Sequence, residues 1–257
     1  MKADITPRLA PNRAPAPAFT GLYLEPNAGL LFGRSLRGST DVACDCDSRS
    51  RPFGWTASLR AGYALLRHLA PELSVGYLRM QERSTRTVHA GSEPGTYGFV
   101  SHDERDSLAA AGPFMSVGAA ARFFERTPVT ARLSAGAAAL GLSFANAGTF
   151  SGHVTDPVSG ITAPASGRLS IEEPPARSVV PFVATELRAG YALNARFSID
   201  LGASLAVFFP PRVTRAQRAG LLTGPDHSRA GVLTLPDEVA MRAFLLVSPS
   251  IAVRIEL

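Results

Sequence analysis

Residues 59–65 and 187–193 carry the same seven-residue sequence, LRAGYAL. In each copy Leu, Ala, Tyr and Leu alternate with Arg, Gly and Ala, so the larger apolar side chains fall on one face. Successive side chains of a β-strand point to opposite faces, and this period of two therefore predicts a strand. Because a buried charge needs a polar partner, the two copies raise the question of where Arg60 and Arg188 point.

The same alternation recurs along the chain and predicts about eight strands. It is cleanest in the seventh strand, where Phe197 and Leu201 alternate with Ser198 and Asp200. The predicted strands cover residues 20–33, 53–66, 72–81, 113–124, 129–144, 178–193, 196–209 and 238–257. Pro26 lies within the first of them and predicts a bulge or a local break, because proline cannot donate to a strand ladder.

The connections between these strands alternate long and short. Short turns at 67–71, 125–128 and 194–195 alternate with long polar connections at 34–52, 82–110, 145–177 and 210–237. Up-and-down barrels of outer membranes have long external loops and short periplasmic turns. The sequence therefore predicts an all-β fold, an up-and-down antiparallel transmembrane β-barrel, in which residues 145–177 contain an extended hairpin. A lipocalin-like soluble barrel, with apolar side chains inside, is the structural alternative.

Composition limits the class of protein further. Hydrophobic residues make up 46% of the 257-residue chain, but no apolar run reaches the 18 or so residues of a transmembrane helix. The formal net charge of +5 comes from arginines that are dispersed along the chain, so no nucleic-acid partner is predicted. Residues 1–18 are predicted to be a disordered Pro/Ala-rich leader and residues 19–257 the barrel. The leader shows no apolar stretch typical of an export signal.

The final residues 250–257, SIAVRIEL, alternate as the last strand of a membrane barrel does. On this strand and on the strand rhythm, the chain from Phe19 to Leu257 resembles the small eight-stranded outer-membrane β-barrel proteins of Gram-negative bacteria, the class of OmpA-like and OmpW-like barrels. The resemblance implies localisation in the bacterial outer membrane and recognition of the C-terminal strand by the barrel-insertion machinery. Such barrels usually end in an aromatic residue, whereas this chain ends in Leu257. We expect a monomer surrounded by outer-membrane lipids and lipopolysaccharide.

Charged residues on the inward face fall at similar heights above the predicted short turns. Since unpaired charges in a narrow lumen are costly, we expect these groups to pair and to close the barrel to ions. The predicted lumen charge belt consists of Glu25, Arg60, Arg132, Glu186, Arg188 and Asp200. The alternative is a narrow passive channel for small or apolar solutes, because Gly62, Gly190 and Gly202 on the same face leave room for water.

Cys44 and Cys46 lie in an acidic run with Asp41, Asp45 and Asp47. Two ligands separated by one residue rarely complete a metal site, so a disulfide within or between chains is favoured over a metal. A cysteine pair without function is equally consistent with the sequence. No metal and no cofactor is predicted.

Arginines of the predicted external loops could pair with lipopolysaccharide phosphates, the alternative being solvated loops. They are Arg34, Arg37, Arg212, Arg215 and Arg218. His102 and His227 lie beside Asp103 and Ser228, residue types that a rim enzyme acting on lipid A would use, but no third partner follows from the spacing. We therefore predict no catalytic residue and a structural or surface-interaction role, with the passive channel as the alternative and the enzyme third.

Overall fold

The computed structural model describes residues 21–34, 36, 48–66, 68–90, 98–124, 127–155, 162–194, 196–210, 217–223, 229–236 and 243–257. The strands are β1 (Leu22–Gly33), β2 (Ser48–Arg49), β3 (Phe53–Tyr63), β4 (Leu69–Ala90), β5 (Gly98–Phe123), β6 (Val129–Thr155), β7 (Thr162–Ala192), β8 (Phe197–Phe208), β9 (Gln217–Thr223), β10 (Arg229–Pro236) and β11 (Phe244–Glu256). Over these residues we find no helix whose length and apolar character would let it cross a membrane.

Eight of these strands close into one antiparallel barrel. Around the wall their order is β1, β3, β4, β5, β6, β7, β8 and β11, and β11 pairs with β1 to complete the ring. Each barrel strand pairs with the barrel strands before and after it in the chain, which is the up-and-down topology. The strands β3–β4, β5–β6 and β7–β8 are joined at one end by short turns. The predicted fold class is confirmed.

The barrel has its apolar surface outside and its charges inside. Large hydrophobic side chains are exposed around the wall, for example Leu59 (47% exposed), Leu201 (60%) and Ile251 (48%). By contrast, Glu25 and Arg188 are buried in the lumen. A soluble barrel would place these two classes of side chain the other way round. The arrangement is that of a barrel whose outer wall faces lipid.

Exposed aromatic side chains mark both edges of the apolar wall. Tyr63 and Tyr191 lie near the short turns, whereas Trp55 and Tyr77 lie near the opposite, external end. The rings of Trp55 and Tyr77 are neighbours, with 5.8 Å between their centroids. Aromatic rings prefer the membrane–water interface, so the two bands delimit the part of the barrel that spans the membrane.

Four strands are much longer than the sequence predicts. β4, β5, β6 and β7 contain 22, 26, 27 and 31 residues, although a tilted strand needs only about 9–11 to cross a membrane. Residues 82–110 were predicted as a long polar connection, and most of them prove to be paired extensions of β4 and β5. Residues 145–177 contain the predicted hairpin, formed by the outer parts of β6 and β7. The alternation of apolar and polar residues ends with the apolar wall, but backbone pairing continues beyond it in water.

Proline interrupts the seam between the first and last strands. The ladder between β1 and β3 runs through Pro26 without a break, whereas the ladder between β1 and β11 skips Glu25 and Pro26. It is interrupted again at Leu30 and Leu31, opposite Pro249 of β11. Proline has no N–H to donate, which accounts for the gaps. The local break predicted at Pro26 is therefore present, on the side that faces β11.

Candidate functional site

The two copies of LRAGYAL place an arginine on opposite walls of the lumen. They lie in β3 and β7, which are four strands apart in either direction around the ring. Arg60 Nη1 lies 2.8 Å from Glu25 Oε1, and Arg60 Nη2 lies 2.9 Å from Glu186 Oε2. Arg188 reaches the same two carboxylates from the other wall, with Nη1 3.4 Å from Glu25 Oε1 and Nε in contact with Glu186. The repeat thus supplies two guanidinium groups that share one pair of acids.

Arg132 of β6 is the centre of this network. Its Nη1 lies 2.6 Å from Glu186 Oε1, its Nε lies 3.1 Å from Glu72 Oε1, and its Nη2 pairs with Glu25. One planar guanidinium therefore meets three carboxylates, a use of its fixed donor geometry that a lysine could not reproduce. We call Glu25, Arg60, Glu72, Arg132, Glu186 and Arg188 the charge cluster.

The charge cluster carries no net charge, since three carboxylates face three guanidinium groups. Its members are nearly inaccessible: Glu25 is 0%, Arg188 1% and Arg132 7% exposed. Taking ions out of water is expensive, and only close pairing with further hydrogen bonds compensates for that cost. Removal of any one member therefore leaves an uncompensated charge in the lumen.

A second set of charges lies one layer nearer the short turns. Arg254 Nε is 2.7 Å from Glu256 Oε1, and Arg122 Nη1 is 3.8 Å from the same oxygen. The guanidinium carbon of Arg254 stacks 3.4 Å from the ring centroid of Tyr23, a cation–π contact. The Tyr23 hydroxyl in turn donates to Glu72. Tyr23 therefore joins this end layer to the charge cluster.

The structure differs from the predicted belt at two residues. Asp200 is 1% exposed and lies inside the barrel, but no hydrogen bond or ion pair to another described residue is formed by its carboxylate, and it is not part of the charge cluster. Glu72 belongs to the cluster and was missed, because it stands at the first position of its predicted strand. Its alternation with outward Leu73 and Val75 was the available signal.

The glycines of the inward face accommodate large side chains. A Cβ atom at Gly62 would overlap the ring and hydroxyl of Tyr23, and one at Gly202 would overlap the Arg188 side chain. The sequence-based alternative assumed that these small residues leave a passage for water. In the structure the space over them is filled by protein side chains, so they tighten the lumen.

Above the charge cluster lies a layer of hydroxyl groups around a small cavity. Ser58, Ser74, Ser116 and Ser204 line it, and the Oγ atoms of Ser74 and Ser116 are 2.6 Å apart. The cavity has a volume of about 100 Å³ and is bounded on one side by the charge cluster. Since a water molecule needs roughly 10–15 Å³ of such volume, the cavity has room for several.

Apolar side chains fill the external half of the lumen. Four phenylalanines contact one another in a row. Phe114 meets Phe182 edge to face with 5.9 Å between ring centroids, and stacked pairs follow at 5.0 Å for Phe182 and Phe208 and 5.1 Å for Phe208 and Phe244. Buried aliphatic residues such as Leu140 pack around them. We call this group the apolar plug. It was not predicted, because the inward face was expected to be small or charged along its full length.

The remaining predicted residues lie largely outside the described part of the chain. This applies to Cys44, Cys46, Arg37, Arg212 and Arg215, and Arg218 lies in β9 without a described side chain. Arg34 is exposed at the external end of β1. Among the described residues, we find no group of three or more His, Cys, Asp or Glu side chains that could hold a metal.

The histidine with a described side chain lies at the short-turn end. His68 Nδ1 is 2.9 Å from the Arg122 carbonyl oxygen, and its ring stacks on Phe123. The pair His102–Asp103 lies in β5 without described side chains, and His227–Ser228 lies outside the described residues. His68 is thus held by a backbone contact and a ring contact, far from the external rim.

Solved structures of outer-membrane proteins match the chain at low sequence identity. Neisserial surface protein A is 13% identical over 93% of this chain and 98% of its own, with a TM-score of 0.36. A major outer membrane protein from Thermus thermophilus is 13% identical over 91% and 100%, with a TM-score of 0.35. The outer membrane protease OmpT from Escherichia coli is 6% identical over 96% and 99%, with a TM-score of 0.31. Neither a protein-family model nor a curated relative matches the sequence.

Proposed function

We propose that this chain is an outer-membrane barrel with a closed lumen that serves a structural or surface-interaction role. The observation that carries the proposal is the filling of the lumen at two levels. The charge cluster occupies the periplasmic half, and the apolar plug occupies the external half. An ion crossing the barrel would have to separate buried ion pairs and then lose its hydration shell between phenylalanine rings.

The electrical balance of the cluster supports closure over selective transport. Channels that select ions by charge commonly expose a ring of side chains of one charge sign to the permeating ion. Here each carboxylate of the cluster contacts at least one guanidinium group, as with Glu72 and Arg132, whose Oε1 and Nε atoms are 3.1 Å apart. A cluster with paired charges and no net charge offers no strong attraction to a cation or an anion.

The long outer strands support a role at the cell surface. β4, β5, β6 and β7 continue their pairing well beyond the aromatic band at Trp55 and Tyr77, as far as His89 in β4 and Gly152 in β6. Pairing of neighbouring strands makes this extension a continuous sheet rather than separate loops. This sheet extends the barrel beyond the membrane, whereas a barrel with a purely structural role in the membrane does not need such an extension.

The partners that we expect follow from the position of the barrel in the outer membrane. The exposed wall contacts outer-membrane lipids, and the alternating strand β11, which ends beside the exposed Leu257, is the segment that the barrel-insertion machinery would recognise. Between the two aromatic bands the described wall is apolar, and the charge cluster lies in the lumen, so we propose that the barrel is a monomer.

Single-channel recording of the refolded chain in a planar bilayer tests this proposal. We expect no conductance steps from the parent protein over the range in which an eight-stranded open pore conducts. Insertion is verified independently by resistance of the barrel to protease added on either side. Regular steps from correctly inserted protein would overturn the closed lumen.

The second candidate is the narrow passive channel, and the cavity between the two closures favours it. About 100 Å³ of space lies between the charge cluster and the apolar plug, lined by hydroxyl groups. A small solute could rest there if either layer moved aside. Steps in the parent recording, or uptake of a small uncharged solute into vesicles, would select this function instead.

A further inference from the structure

Four exposed arginines gather on one side of the external rim, on the neighbouring strands β1, β3 and β4 or at their ends. They are Arg34, Arg51, Arg79 and Arg83, which we call the arginine patch. Only Arg34 was singled out from the sequence. The others lie in or beside strands, and their proximity depends on the pairing of strands, which the sequence does not display.

Strand pairing brings three of these arginines side by side. The Gly33 nitrogen donates to the Pro52 carbonyl oxygen at 3.0 Å, which sets Arg34 beside Arg51. The Ser50 nitrogen donates to the Arg83 carbonyl oxygen at 2.8 Å, which sets Arg83 beside the same short segment. Neighbouring positions on paired strands hold their Cβ atoms roughly 5 Å apart. Three guanidinium groups therefore crowd one strip of the surface.

The patch lies directly above the external aromatic band. The Phe32 and Phe53 rings pair at 5.4 Å between centroids, and Arg34 and Arg51 each stand two residues farther out. Two residues of strand correspond to roughly 7 Å. Arg79 lies lower, at the position paired with Trp55. Since interfacial aromatics sit at the level of the headgroups, the guanidinium groups reach the depth of the headgroup phosphates.

The charges of the patch are not neutralised within the described part of the chain. None of its four guanidinium groups forms an ion pair with another described residue. Like charges on adjacent positions of a sheet destabilise it, so the arrangement calls for an external anion. Arginine binds phosphate through two parallel hydrogen bonds, and several arginines at headgroup depth suit a lipid that carries more than one phosphate.

We infer that the arginine patch is a binding site for the phosphate groups of an outer-leaflet glycolipid of the lipopolysaccharide type. The inference rests on the proposed function only in placing this rim in the outer leaflet. The site fixes the barrel to one class of lipid on one side of its wall. It does not depend on whether the lumen is open.

Fluorescence of Trp55 offers a direct assay, since it is the only tryptophan of the chain and lies beside Arg79. The full chain, refolded in a zwitterionic detergent, is titrated with bisphosphorylated lipid A, with the same lipid A lacking both phosphates, and with inorganic phosphate. We expect a saturable change with the bisphosphorylated lipid alone, weakening as salt is raised. Equal binding of the dephosphorylated lipid, or a full change with inorganic phosphate, would overturn the inference.

Variants distinguish lipid binding at the arginine patch from nonspecific attraction to a basic protein surface. The triple variant Arg34→Gln, Arg51→Gln and Arg83→Gln should bind the bisphosphorylated lipid roughly tenfold or more weakly, because it loses charge-assisted hydrogen bonds. The matched control is Arg177→Gln, an exposed arginine of β7 whose partner on β6 is Gly141, and its affinity should be unchanged. Unchanged affinity of the triple variant, or an equal loss in the control, would refute the site.

Stability without glycolipid gives a second readout that a purely structural role would not produce. Removal of crowded like charges should leave the unfolding temperature of the triple variant unchanged or raised in zwitterionic detergent. Added lipid A should then stabilise the parent more than the variant. A variant that is less stable than the parent in the absence of lipid A would show that the arginines serve the fold, and would overturn the inference. Conductance of the parent barrel would leave these outcomes unaffected.

Discussion

Replacement of Arg132 by alanine is the sharpest test of the charge cluster. Arg132 contacts Glu25, Glu72 and Glu186, so its removal leaves three carboxylates facing two guanidinium groups. The variant should lose stability and not only a contact, because a buried carboxylate loses its cationic partner.

The structure indicates which carboxylate accounts for the loss of unfolding free energy. Glu25 and Glu186 each retain Arg60 and Arg188 as partners. Glu72 retains only the Tyr23 hydroxyl among the described groups. Breaking a buried pair by removing one partner typically costs about 3–5 kcal/mol of unfolding free energy. We expect the loss for Arg132→Ala to lie in that range and to arise mainly at Glu72.

Equilibrium unfolding in urea, followed by Trp55 fluorescence in lipid vesicles, measures this cost. The matched control is Arg196→Ala, an exposed arginine at the turn before β8, which should change the unfolding free energy by no more than about 0.5 kcal/mol. The double variant Arg132→Ala and Glu72→Gln should recover about 1–3 kcal/mol, because it removes the carboxylate left without a cation.

Two results would refute this reasoning. An Arg132→Ala protein as stable as Arg196→Ala would mean that water reaches the cluster and screens it. A double variant no more stable than Arg132→Ala alone would mean that Glu72 is not the group left unpaired.

Three further predictions follow from the layers of the barrel. Leu201→Arg on the lipid face should lower the unfolding free energy by about 2–4 kcal/mol, whereas Ser204→Arg, which points into the cavity, should cost less; equal losses in urea unfolding would contradict the inside–outside assignment. In planar bilayers we expect no conductance from Arg60→Ala or from Phe182→Ala, but conductance from the double variant, because the charge cluster and the apolar plug close the lumen in series. Conductance steps from either single variant would show that one layer alone closes the lumen. Gly62→Leu should cost about 1–3 kcal/mol in urea unfolding, because its side chain enters the space of a buried tyrosine ring, and no loss would mean that this space is free.

Much of the barrel could be predicted from the period of two, because alternate residues of a strand face either the apolar membrane or the polar lumen. That pattern located all eight barrel strands and gave the inward direction of Arg60, Arg132 and Arg188. It could not show which groups pair, since pairing across the lumen joins residues as distant as Glu25 and Arg188. Contacts of this kind depend on closure of the ring.

The other omissions have separate physical causes. The outer parts of β4 to β7 lie beyond the apolar wall, and their sequences show no regular alternation of apolar and polar residues. The apolar plug was not predicted from the sequence. Phe182 and Phe208 occupy inward positions in strands whose outward faces are also apolar, so the two faces could not be distinguished there by hydrophobicity. The leader at 1–18 and the state of Cys44 and Cys46 stay predictions.

The two prolines of the closing seam bear on how the ring forms and fails. β1 and β11 stand at opposite ends of the barrel sequence, so their union closes the longest loop in the molecule and carries the highest entropic cost. Pro26 and Pro249 deprive this union of donors. We therefore expect the seam to be the last strand interface to form during assembly and the first to open when the barrel is destabilised, while the seven other interfaces are still paired.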